Sequence, residues 1–177
     1  MYHMLQKCTI WSVFTIFCED PLKVHYIKEI ARKIKLAHTS VKKHLESLFS
    51  QDLVYRIKGE RFIGFIANRD SEIFLFYKRI SNLIKLKESG ILDYIIHSCY
   101  PKAIILYGSY SRGEDIKESD IDILVLTKFR KPLSLEKFEA ILKREVHLIN
   151  VERVKNLNME LRNEIINGIK LYGYLTI

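Results

Sequence analysis

The 177-residue chain is poor in cysteine, and its three, Cys8, Cys18 and Cys99, form no C-x-x-C pair. An odd, scattered set excludes a disulfide framework and a thiolate zinc site, and fits a reducing cytoplasm. Long hydrophobic runs are also missing. The best candidate, CTIWSVFTIFC from Cys8 to Cys18, follows Lys7 and imitates the apolar part of a signal peptide. It is too short to span a bilayer, lacks a small-residue cleavage site and runs into Glu19-Asp20-Pro21, so it reads as a buried first helix with no membrane role. Nor does the composition suggest disorder: 48% of residues are hydrophobic and 28% charged, enough for one ordinary core or two small ones.

Acidic residues are the scarcer charge, 21 against 29 basic, for a formal net charge of +8. A positive potential favours anionic partners such as nucleic acid or nucleotide, but it equally describes a solvated surface until the charges gather on one face. They gather first near residue 40. After a short extended piece at Val24–Tyr26, IKEIARKI repeats Ile27, Ile30, Ala31 and Ile34 at helical spacing. A polar break from Lys35 to His38 leads to Thr39, the expected N-cap of a second helix lined by Val41, Leu45 and Leu48. Its opposite face carries Ser40, Lys42, Lys43 and His44. Two short β-rich runs then flank Lys58-Gly59-Glu60, with Arg56, Lys58 and Arg61 near the tip of the expected hairpin. The order of these elements, over LKVHYIKEIARKIKLAHTSVKKHLESLFSQDLVYRIKGERF, resembles the winged helix-turn-helix family. The resemblance implies DNA contact through Ser40, Lys42, Lys43, His44, Arg56, Lys58 and Arg61. The same fold also serves protein contact and dimerisation.

Residues 1–68 are thus one expected domain, and 69–100 read as connecting helices. Ile73, Phe76, Tyr77, Ile80, Leu83 and Ile84 fall on one helical stripe, suited to intramolecular packing or to pairing with a second copy in a homodimer. Ser89-Gly90 breaks the pattern, and ILDYIIHSCY forms a further short helix that stops before Pro101.

Residues 101–177 carry the chemistry. AIILY, bounded by Pro101 and Gly108, is a buried strand entering a tight turn. GSYSRGEDIKESDIDILV follows, from Gly108 to Val125. Gly108 permits close backbone approach to a triphosphate, and Ser109 offers a hydroxyl and an N–H. Arg112 adds positive charge. Asp120 and Asp122, two residues apart on a strand, project from one face as a pair of hard oxygen donors for Mg²⁺. Such a pair repels itself without a cation, so the constellation means more than each residue alone. Beyond it, Asn156 to Gly168 reads as a helix, and IKLYGYLTI as an ordered apolar tail.

This stretch resembles the nucleotidyltransferase motif G-S-x-x-R-G followed by S-D-I-D. The whole layout is similar to archaeal proteins that fuse a winged helix to a minimal nucleotidyltransferase of the polymerase-β-like kind. The implied fold is α+β: an N-terminal winged helix-turn-helix plus a nucleotidyltransferase domain with a short mixed sheet flanked by helices. The implied ligands are ATP and Mg²⁺, with metal on Asp120 and Asp122 and nucleotide on Gly108, Ser109, Arg112 and Ser119. Catalytic members place a third acid on a later strand; here EVHLI puts His147 at that position, with Glu145 two residues earlier on the same strand face. Mg²⁺ prefers oxygen, so His147 weakens a second metal site, while a neutral imidazole still accepts a proton. The group resembles antitoxin-type transferases paired with HEPN toxins, which would make such a partner a separate chain. Two readings follow: transfer of AMP to a protein or nucleic-acid acceptor, or a catalytically inactive DNA-binding transcriptional regulator that uses the transferase fold for nucleotide sensing or dimerisation. A pure interaction scaffold would leave the paired aspartates unexplained.

Overall fold

Apolar side chains at helical spacing build the first of two compact units, which comprise Met1–Ser81 and Asn82–Ile177. The computed structural model describes residues 8–59, 62–129 and 132–175. In the first unit, α1 (Thr9–Glu19), α2 (Ile27–Ile34) and α3 (His38–Ser50) combine with β1 (His25–Tyr26), β2 (Val54–Lys58) and β3 (Ile63–Ala67). The sheet order is β1-β3-β2, antiparallel throughout, with Val54 opposite Ala67 and His25 opposite Phe65. Val41, Leu45 and Leu48 of α3 join Phe14, Phe17, Ile30, Phe65 and Phe74 in one core. The start of α3 differs from expectation. Ala37 occupies the N-cap position without a side-chain cap bond, and Val41 N–H donates to its carbonyl at 3.1 Å, so Thr39 is already inside the helix.

Helix α4 (Glu72–Ser89) is long, as expected, but its buried face is not the expected stripe. Phe74 is fully buried, while Ile73 and Phe76 are 54% and 53% exposed and Tyr77 is exposed as well. Residues 73–77 are all apolar and therefore offer two competing stripes. The Phe74 stripe wins because Phe74 enters the core with Phe17 and Ile30 and meets Phe14 edge-on, with centroids 5.5 Å apart, whereas Tyr77 touches the same ring at 6.1 Å from the exposed rim. Four residues on, the same face buries Lys78, then Ser81 and Asn82.

The second unit is built on a four-stranded mixed sheet. After α5 (Ile91–Cys99) come β4 (Ala103–Tyr107), α6 (Gly108–Arg112), β5 (Ile121–Leu126), α7 (Glu136–Leu142), β6 (Val146–Val151), α8 (Met159–Ile166) and β7 (Ile169–Gly173). The order is β6-β5-β4-β7: β4 runs antiparallel to β5 and β7, and β5 pairs parallel with β6. Central strands need apolar residues on both faces. Ile104, Leu106, Ile121, Ile123 and Val125 enter one core with Leu86, Ile95 and Phe138, while Ala103, Ile105, Leu124 and Leu126 enter another with Val154 and Ile165. The last helix is shorter than the expected 156–168, because Asn158 accepts the Leu161 N–H at 2.8 Å and caps α8 there. Of the expected apolar tail, Ile169–Gly173 forms strand β7, and Thr176 and Ile177 lie outside the described residues. No helix among the described residues is long and apolar enough to cross a membrane.

Candidate functional site

The site forms where β4 and β5 present their ends side by side. Tyr107 is paired with Asp122 across the antiparallel ladder, and Gly108 then turns the chain into α6 with φ +70°. That left-handed conformation suits glycine, and the space requires it: a Cβ at Gly108 would lie 2.3 Å from Asp122 Oδ2. The buried Ser111 hydroxyl donates to the Gly108 carbonyl at 2.7 Å and fixes the turn. Ser109, partly exposed, accepts the Gly113 and Glu114 N–H groups at its carbonyl.

Asp120 is exposed and immediately precedes β5; Asp122 is half-buried as its second residue, with Ile121 fully buried between them. In the parallel β5–β6 ladder Asp122 pairs with His147, and His147 Nδ1 lies 3.3 Å from Asp122 Oδ1. The Ile121 N–H donates to the Glu145 carbonyl at 2.9 Å, which extends this register one step. Glu145 and His147 are both exposed on either side of buried Val146. Tyr107 reports the local environment: burial first, then the negative charges of Asp122 and Glu164, push its hydroxyl up to about 12.

Two expected phosphate ligands have partners of their own. Arg112 Nε donates to Glu114 and Nη1 to Glu164, both at 2.8 Å, and these contacts raise the guanidinium pKa further. The Ser119 hydroxyl accepts the Ile116 N–H at 3.0 Å, inside its own loop. Among the described residues no three His, Cys, Asp or Glu side chains gather as a ready metal cage. The donor set still suits one Mg²⁺, which is commonly held by one or two carboxylates with waters and substrate phosphates completing its shell. The glycine lets the backbone of the turn approach Asp122 Oδ2 more closely than any side chain would permit, and the carboxylate keeps partial exposure.

A buried ionic cluster beneath the site was not evident from motif or periodicity. Arg144, between α7 and β6, donates from Nη2 to Asp115 Oδ2 at 2.8 Å, with side chains 8% and 0% exposed. Asn82 donates to the other Asp115 oxygen at 2.8 Å and to the Tyr110 carbonyl at 3.0 Å. Its only trace in the sequence is a set of charged residues around an otherwise apolar strand pair.

In the first unit, Lys42, Lys43 and Lys58 are exposed and Ser40 half-exposed. His44 is held at 2.8 Å to the Thr9 hydroxyl. Arg56 forms an ion pair with Glu46 and stacks its guanidinium 4.2 Å from the centre of the Phe49 ring. Arg61 lies outside the described residues.

Residues 90–171 match the family model for the nucleotidyltransferase domain, so the second unit carries a domain of that class. Among solved structures, one described as "Crystal structure of the toxin-antitoxin with AMP-PNP" contains a similar chain, 26% identical, with a TM-score of 0.37 over 49% of this chain and 73% of that one. None of the curated proteins matches.

Proposed function

We infer that the second unit binds a nucleoside triphosphate, ATP, with Mg²⁺, and transfers AMP to a protein or nucleic-acid acceptor. The observation that carries this reading is the Gly108–Asp122 approach: a left-handed glycine turn packed closely against a carboxylate oxygen, within the segment that matches the nucleotidyltransferase model. In this reading Gly108 and Ser109 accommodate phosphate at the turn, and Arg112 exchanges Glu114 and Glu164 for a phosphate oxygen. Asp120 and Asp122 would hold the metal, which supplies charge neutralisation at the triphosphate as pyrophosphate leaves. His147, poised beside Asp122, accepts the proton of the attacking hydroxyl, and Glu145 stands immediately before the same strand rather than on it.

The first unit is read as a winged helix-turn-helix: its helix order and β1-β3-β2 sheet support that assignment, with α3 as recognition helix and β2–β3 as wing. DNA is then contacted by Lys42, Lys43 and Lys58, with Ser40 beside them. The resemblance to antitoxin-type transferases adds a separate HEPN-type chain as protein partner. A second reading, an inactive regulator that senses nucleotide, is favoured by one observation: the side chain facing Asp122 from β6 is an imidazole rather than a carboxylate.

Calorimetric titration with ATP, with and without Mg²⁺, on the wild type and on Asp120→Asn/Asp122→Asn tests the shared premise. Mg²⁺-dependent binding that disappears in the variant supports a working nucleotide site; equal binding by both proteins sinks it. Pyrophosphate release in the presence of candidate acceptors then separates the enzyme from the regulator.

A further inference from the structure

Asp120 is the last residue of the irregular loop, Gly113–Asp120, that joins α6 to β5. Such a segment has no ladder of its own to set where its last residue falls. Beyond the reciprocal bonds between Ile116 and Ser119, two of its backbone carbonyls are gathered by one side chain. Arg144 Nη1 donates to the carbonyls of Ile116 and, at 2.7 Å, Ser119, while Nη2 holds Asp115 at 2.8 Å. The guanidinium lies 5.4 Å from the centre of the Tyr110 ring in α6. Asn82 closes the arrangement by bridging Asp115 to the Tyr110 carbonyl. One planar fork thus reaches three points of the loop, the last of them the residue before Asp120.

The same residue begins the approach to β6. The carbonyl of its neighbour Glu145 accepts the Ile121 N–H, and His147 follows three residues after Arg144. We propose that Arg144 is a positioning residue for the nucleotide site: its guanidinium sets the Asp115–Ser119 loop so that Asp120 is delivered beside Asp122, in register with His147. The inference rests on the nucleotide-site reading for its functional consequence, but the positioning itself is a property of the ligand-free chain. A lysine keeps the charge and loses the fork, so it cannot hold two carbonyls and a carboxylate together.

The test is Arg144→Lys, read in two ways. First, amide hydrogen exchange on the nucleotide-free protein should accelerate across 113–120 while the β4 and β5 amides stay protected; unchanged exchange across the loop overturns the proposal. Second, the Mg²⁺-dependent gain in ATP affinity should fall by about 10–100-fold, as for other supports of metal ligands, with Mg²⁺-independent ATP binding unchanged. Equal losses with and without Mg²⁺ would overturn it too, because a merely structural defect moves both. If Arg144→Lys fails to fold, Asp115→Asn/Arg144→Gln removes both buried charges together and is read the same way. Should the wild type bind no ATP, the nucleotide-site reading fails while the exchange result still decides whether Arg144 sets the loop.

Discussion

Asp122 and His147 face one another across the parallel β5–β6 ladder, with Oδ1 and Nδ1 3.3 Å apart. This pair places the imidazole where the family resemblance calls for a third acid. His147→Asp is therefore expected to tighten Mg²⁺-dependent ATP binding. Without metal, the added carboxylate faces Asp122 and lowers the thermal midpoint. Mg²⁺ at about a hundredfold over its Kd should return about 2.7 kcal/mol. Calorimetry and melting curves with and without Mg²⁺ check both halves; a midpoint indifferent to Mg²⁺ in the variant would count against metal binding here.

Gly108→Ala should damage the site and the fold together. The residue has φ +70°, and its new Cβ would meet Asp122 Oδ2 at 2.3 Å. Strain of this kind costs about 1–3 kcal/mol, seen as a lower urea midpoint, and displacement of Asp122 should remove ATP binding. Retained binding would show that the turn tolerates a side chain.

The alkaline limb of stability should report Tyr107. Its hydroxyl is raised from 10.0 to about 12 in the folded chain. Between those values the unfolded state has lost the proton that the folded state keeps, so this contribution is complete below pH 10 and is lost as pH rises toward 12. Urea midpoints measured from pH 9 upward should fall more steeply for the wild type than for Tyr107→Phe. Parallel curves would mean the tyrosine titrates alike in both states.

For the first unit, Lys42→Gln/Lys43→Gln should weaken binding to duplex DNA and make the slope of log affinity against log salt shallower by about two, roughly 0.9 for each phosphate that the lysines no longer neutralise. Arg56→Ala should change the slope much less, because that guanidinium is already paired with Glu46 and stacked on Phe49. Anisotropy titrations across salt concentrations compare them; identical slopes in all three proteins would argue for a protein-contact role.

Two neighbouring phenylalanines in α4 should differ sharply. Phe74 is fully buried and Phe76 is 53% exposed. Phe74→Ala is expected to cost about 3–5 kcal/mol, and Phe76→Ala close to nothing, by chemical denaturation. Similar losses at both would mean that the Phe76 face is also covered in solution.

The contrast within α4 shows where sequence reading ends. GSYSRG, SDID and the apolar strands around them were legible because local spacing and backbone period determine their geometry, as the pairing of Tyr107 with Asp122 illustrates. His147 was legible by its place on the next strand. The face of α4 was not, since five consecutive apolar residues satisfy two stripes and only the core assembled from distant residues such as Phe14, Phe17 and Ile30 selects one. Nor was the Arg144–Asp115–Asn82 cluster, whose members are 29 and 33 residues apart and signal no periodicity. Likewise Arg112 and Ser119 carry the expected residue types, but their partners Glu164 and Ile116 emerge only from the folded chain.

His147 lies on β6, an edge strand, and its side chain is exposed. The core has no stake in which residue stands there. Histidine and aspartate codons differ in a single base, so one point mutation would exchange an imidazole for a carboxylate opposite Asp122 without repacking anything. A single base change therefore separates a nitrogen donor from an oxygen donor at this position, and the apolar core is indifferent to the exchange.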